Sequence, residues 1–233
     1  MKTLWSGIAI SVFALVGAAS ATLRSPQPPA AGATLSEDRG KLLITVDGQA
    51  VATEDFQITR DGDNWVAHGT TDIHAGKEIA HVTGELRLNS AGEPLRYVWS
   101  TVGDKKATST TVFEGAVAKI TLNMGDGKPI EQDFHFASPV VILDNNLYHQ
   151  YEILARVYNW TAGGPQTFAV LIPQEQSPGN ITVESLGNVN LEGAKYTQLV
   201  VRTEDLQVNI YLDSSHRLMR LIVPASKAEI RRQ

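Results

Sequence analysis

The sequence predicts a mainly β protein, built on antiparallel sheet and carrying a single amphipathic helix. Three observations lead there. From Lys41 onward, apolar and polar residues alternate with a period of two. Turn signals interrupt that alternation at Asp61-Gly62-Asp63, Asn89 to Pro94, Gly103-Asp104 and Gly125-Asp126-Gly127, then at Ser177 to Asn180, Glu192-Gly193 and Asp213-Ser214-Ser215. One central segment alone changes to a helical period.

The first element is an address. Met1-Lys2 is a positive start, Leu4 to Gly17 is apolar, and Ala19-Ser20-Ala21 offers the small residues that signal peptidase needs. The apolar run is short of the roughly 18–20 residues that span a bilayer. Residues 1–21 therefore read as a signal peptide, with a mature chain starting at Thr22 and no stable membrane span after cleavage. Residues 22–40, rich in Pro and Ala, read as a flexible spacer. Residues 41–233 read as a single β-rich domain, large enough to bury a core without staples.

Composition narrows the setting. There is no cysteine, which excludes thiolate metal sites and thiol nucleophiles and suits a periplasmic or secreted bacterial protein. The formal charge is −5 with no dense Lys/Arg run, which argues against nucleic acid and against docking on anionic headgroups. Binding of lipid tails, a matter of apolar area, stays open.

The strand readings follow from the alternation. Trp65, Ala67, Thr71 and Ile73 share one face opposite His68, Thr70, Asp72 and His74. Val82, Leu86 and Leu88 oppose His81, Thr83, Glu85 and Arg87, and Leu95, Tyr97 and Trp99 alternate with Arg96, Val98 and Ser100. Three more strands are expected at Tyr196 to Arg202, Leu206 to Leu212 and Arg217 to Val223. Between the two groups, Leu147, Tyr151, Leu154 and Tyr158 recur at i, i+4, i+7 and i+11, which predicts a helix over about 146–158. Asp144 or Asn145 is the expected cap, and His149, Glu152 and Arg156 are expected on its wet side.

Four segments carry a likeness beyond this pattern: Thr53-Glu54-Asp55-Phe56, Gly92-Glu93-Pro94 leading into Tyr97-Val98-Trp99, Val141 to Asn146, and Tyr211-Leu212-Asp213 with Arg217-Leu218-Met219. They resemble a group of exported bacterial proteins of unknown function, themselves similar to the lipoprotein-carrier fold. The resemblance runs from about Val46 to Arg231. It implies a strongly curved antiparallel sheet, or incomplete barrel, with the helix on its concave face. It also implies an apolar cup for an acyl chain or another greasy ligand. The apolar stripe of the helix would wall that space, with Tyr151, Leu154, Tyr158 and Trp99 as the expected ligand residues. It supplies no catalytic residues.

Other constellations are thin. His68, His74 and His81 could approach one another if Thr70 faces His81, but zinc needs three or four ligands converging at about 2.0–2.2 Å, and a solvated hairpin face explains them as well. His149 with Glu152 could form a base and its orienter, yet Glu152 and Arg156 are also an ordinary i, i+4 pair, and no Ser sits in a nucleophile elbow. The expectation is an exported envelope protein, not an enzyme and without cofactor or metal, that binds or carries a lipid-like or other apolar ligand. A structural or assembly factor for envelope or surface-polymer export is the alternative, with an envelope protein as its partner, and a hydrolase the second.

Overall fold

The computed structural model describes residues 35–103, 106–125, 127–138 and 140–233. The expected signal peptide and the spacer up to residue 34 lie outside the described residues. The first strand starts at Asp38 rather than at 41, and Leu35 is already buried, so the last part of the expected spacer belongs to the folded body.

Eight strands come first, each antiparallel to the one before: β1 (Asp38–Val46), β2 (Gln49–Asp61), β3 (Asn64–Ala75), β4 (Glu78–Leu88), β5 (Pro94–Val102), β6 (Ala107–Glu114), β7 (Val117–Asn123) and β8 (Ile130–His135). A short β9 (Val140–Ile142) leads to the helix α1 (Gln150–Val157). The return run is β10 (Gln166–Ile172), β11 (Ser177–Leu191), β12 (Ala194–Arg202), β13 (Gln207–Leu212), β14 (Leu218–Val223) and β15 (Ala228–Arg232).

These strands form one sheet of order β8-β7-β6-β5-β4-β3-β2-β1-β15-β14-β13-β12-β11-β10-β9. The first and last strands pair, Ile44 opposite Ile230, so the two meanders fuse at the chain's ends. The sheet stays unclosed at a seam, where the consecutive strands β8 and β9 form its two free edges. β9 runs parallel to β10, since the intervening crossover contains α1.

The curl of the sheet is visible in what the helix touches. Residues 147–149 press on β3 and β4 at Gly69 and Gly84, while Glu152 reaches β14 and β15 at Leu218 and Arg232. Every helix residue from Gln150 to Arg156 is buried. The helix is therefore enclosed on its polar side too, and the expectation of a wet face at His149, Glu152 and Arg156 is overturned. It is also shorter than expected, because residues 147–149 form tight turns before it, with Gln150 N–H donating to Leu147 O and Tyr151 N–H to Tyr148 O.

The expected faces of β3, β4 and β5 hold apart from Leu95. A bulge shifts the register between Arg87 and Leu88, so that Pro94 rather than Leu95 faces Leu88. Leu95, the extra residue of the bulge, is left 38% exposed, while Pro94 takes the inward position and Tyr97 and Trp99 keep theirs. In the return run, Ala169 to Ile172 and Leu199 to Val201 are buried consecutively, which is burial on both faces rather than alternation.

Candidate functional site

The residues that seat the helix come from positions where a strand's pattern breaks its own rule. Glu54 stands on the inner face of β2 between Ala52 and Phe56, and is fully buried. Its carboxylate accepts the Tyr148 N–H at 2.8 Å and the Nδ1–H of His149 at 2.5 Å. With the carboxylate accepting a backbone donor, the ring nitrogen is the donating partner. Phe56 stacks on the same imidazole, with ring centroids 5.8 Å apart. This arrangement, and not Asp144 or Asn145, occupies the free N–H groups ahead of the helix.

Room for the imidazole and for Leu147 beside it comes from two glycines. Gly69 and Gly84 face each other across β3 and β4. A Cβ on Gly69 would lie 2.5 Å from His149 Cε1, and one on Gly84 would lie 2.4 Å from Leu147 Cδ1. In a strand interior glycine weakens the sheet, and it is tolerated where another element approaches closely.

Asp144 instead joins the helix lead-in to β5 and to the start of the return run. Its Oδ2 accepts the Tyr97 hydroxyl at 2.8 Å, and its Oδ1 accepts the N–H groups of Gln174 and Asn145. Burial pushes its carboxyl up to about 7, against the pull of those hydrogen bonds. Burial, then the adjacent Asp144 charge, pushes the Tyr97 phenol well above its ordinary range.

Along the helix itself the polar contacts are ionic, from Glu152 in the first turn to Arg156 in the last. Glu152 Oε1 accepts from Arg156 at 2.6 Å, and Oε2 accepts the Leu218 N–H at 2.8 Å. Arg232 lies 3.5 Å from that carboxylate and pairs with both oxygens of Asp38 at 2.8 Å. Arg156 also donates to the Ser36 hydroxyl. Burial drives the Glu152 carboxyl upward and Arg156 pulls it back. Burial works the same way on Asp38, but there the Arg232 hydrogen bond and charge win and hold it low.

These groups are closed to solvent, with Glu54, Glu152 and His149 all at 0% exposure, so they serve as structural anchors in this conformation. The four expected ligand residues share that fate: Trp99 is 1%, Leu154 1%, Tyr158 2% and Tyr151 3% exposed. Tyr158 donates its hydroxyl to Gly164 O. The Trp99 indole N–H and the Ser109 hydroxyl opposite it, both buried, have no hydrogen-bond partner among the described residues. Buried polar atoms of this kind are where ordered water is held.

The expected histidine register is also corrected. Asp72, not Thr70, faces His81, and His68 faces Glu85. His81 Nδ1 lies 2.7 Å from Asp72 Oδ1, with both side chains about half exposed. Among the described residues no group of three or more His, Asp or Glu could hold a metal ion.

An open cavity lies elsewhere, at the seam. It has a volume of about 420 Å³ and is bounded by the β4–β5 turn (Asn89, Glu93), the start of β5 (Pro94, Leu95), Phe113 near the end of β6, the β6–β7 turn (Gly115, Ala116) and the approach to β9 (Ala137, Ser138, Val140). Its walls are mostly apolar. The one carboxylate among them, Glu93, accepts from Asn89 Nδ2 at 2.8 Å.

No family model matches the chain, and the search of curated proteins gives no match. Two solved structures are similar in fold. One is a beta-barrel-like protein of the domain of unknown function DUF1849 from Brucella abortus, with TM-score 0.58 and 10% identity over 85% of this chain and 95% of that one. The other is a DUF1089 family protein from Pseudomonas aeruginosa, with TM-score 0.49 and 10% identity over 76% and 91%. The first likeness is one of beta-barrel-like fold, in keeping with a large unclosed sheet around one helix.

Proposed function

We propose that this chain is an exported bacterial envelope protein that binds or carries a lipid-like or other apolar ligand without catalysing a reaction. Its ligand enters at the seam rather than beneath the helix. The observation that carries this reading is the roughly 420 Å³ cavity where the sheet fails to close, walled by Pro94, Leu95, Phe113, Ala116 and Val140. Small-molecule sites favour such mainly apolar concavities of about 300–1,000 Å³ at the mouths of β-barrels. The signal-peptide pattern of residues 1–21 and the resemblance to lipoprotein-carrier-like proteins support the same reading. The sealed state of His149, Glu54 and Asp144 argues against a catalytic role for them, because a general acid or base must reach its substrate.

An environment-sensitive acyl probe with an uncharged head, chosen because Glu93 lines the cavity, tests the reading by titration against the full chain. Saturable binding is expected, and Ala116→Trp, which fills the cavity, should weaken it at least tenfold. Unchanged binding in that variant, or none in the wild type, overturns the seam as an acyl site. N-terminal sequencing of the exported form checks the address, with Thr22 as the expected first residue and Met1 the result that refutes it.

A further inference from the structure

The two free edges of the sheet are not alike. β9 is three residues long with two of them buried, whereas β8 is six residues long and exposed except at Phe134, which is half-buried. The backbone of β8 presents a definite pattern. Phe136 N–H donates to Ala116 O, and the register continues as Ala118 opposite Phe134, Ile120 opposite Gln132 and Leu122 opposite Ile130. In an antiparallel ladder, hydrogen-bonded and non-hydrogen-bonded pairs alternate. Residues 130, 132 and 134 therefore turn their N–H and C=O toward β7, and Glu131, Asp133 and His135 turn theirs to the open edge.

Side chains sort the same way. Ile130, Gln132 and Phe134 continue the inner face, whose neighbours on β7 are buried while Ile130 itself is 46% exposed. Glu131 and Asp133 lie on the outer face. Lys119 faces Asp133, but its ammonium is bonded to Glu114 at 2.7 Å. No hydrogen bond to the Glu131 or Asp133 carboxylate occurs among the described residues, although the Lys119 charge acts on Asp133.

We propose that β8 is a docking edge for an extended peptide strand in which basic and apolar residues alternate. Such a strand places each basic side chain opposite Glu131 or Asp133 and each apolar one beside Phe134 and Ile130, with main-chain bonds supplying affinity and alternate side chains specificity. A second copy of this chain fits poorly. Antiparallel β8–β8 pairing about Gln132 sets Glu131 against Asp133, and like charges directly opposed across a ladder repel. This inference is independent of the acyl site.

The test uses fluorescence anisotropy of the full chain with a labelled eight-residue peptide alternating lysine and valine, against one alternating glutamate and valine. The lysine peptide should bind at least tenfold tighter, and Glu131→Lys with Asp133→Lys should reverse the order. Asp133→Pro removes an outward N–H together with one of the two carboxylates and no bond to β7, so it should abolish binding while leaving the melting temperature within a few degrees. Hydrogen exchange of the amides of Glu131, Asp133 and His135 should slow when the lysine peptide is bound. Equal affinity for the two peptides, or unslowed exchange in β8, overturns the proposal. Concentration-dependent dimers that protect the same amides without peptide also overturn it, by making a second copy the occupant. The acyl-probe affinity is measured in parallel and should not change in the β8 variants.

Discussion

The helix and its lead-in are buried equally and held differently. The lead-in, residues 147–149, is seated by shape: two glycines open a dent, the His149 imidazole and the Leu147 side chain fill it, and one carboxylate answers the free N–H groups. The helix itself is seated by charge, through Glu152 in its first turn, Arg156 in its last, Arg232 and Asp38. The difference predicts how each part fails. A buried ionic network is costly to break at one member yet replaceable as a unit, because desolvation offsets most of its attraction. A steric seat tolerates no added atom, and no change of solvent relieves it.

The largest expected effect is in the charged network of the helix. Glu152→Ala leaves Arg156 without its carboxylate and the Leu218 N–H without an acceptor, and should cost about 3–5 kcal/mol. Urea denaturation of the variant measures it. Glu152→Met combined with Arg156→Leu should recover most of that loss. A double variant as unstable as the single one would show that the network is not a replaceable unit.

Next comes the steric seat of the lead-in. Gly69→Ala and Gly84→Ala should each cost about 1–3 kcal/mol through forced shifts in a packed core. Gly84→Ala and Leu147→Ala should interact, the double variant losing less than the two singles together by about 0.5–3 kcal/mol. Strict additivity would remove the claim that Leu147 fills the space of the missing Cβ.

A third effect reports on Asp144, the buried carboxylate that ties the approach to the lead-in to Tyr97 and Gln174. Asp144 binds its proton more tightly folded, at about 7, than at its ordinary value of 3.8. Its contribution is therefore fully present below about pH 4 and is lost as pH rises through 7, at up to about 1.4 kcal/mol per pH unit. Asp144→Asn should flatten that part of the stability–pH curve, and an unchanged slope would assign it to other groups. The smallest effect is the reference: Lys41→Ala, which breaks an exposed pair with Asp55 at 3.1 Å, should cost under about 1 kcal/mol and less in high salt.

Much of the helix seat carried a trace in the sequence. Glu54 falls at an inward position of an alternating strand, and Gly69 and Gly84 at inward positions where a side chain is due; each is a local conflict that marks close approach or a buried partner. The sequence segments singled out for their likeness contain Glu54, Phe56, Tyr97, Asp144 and Leu218, which contact the helix or its lead-in. The polar face of the helix was misread because His149, Glu152 and Arg156 at helical spacing ordinarily face water. The cavity at the seam had no sequence signal, since its walls come from three separate turns.

What the sequence determined by itself is what periodicity and turn chemistry encode within a few residues: a mainly β chain, most inward and outward faces, and one helix in the middle. What tertiary structure decided is which distant groups meet. Glu54 answers His149 across 95 positions, Glu152 answers Leu218 across 66, and Arg232 closes on Asp38 across 194. The β1–β15 pairing, the seam between β8 and β9 and the enclosure of the helix all follow from that long-range choice. A buried charge is stable only where a partner is delivered to it, and a curling sheet delivers partners that no local pattern can announce.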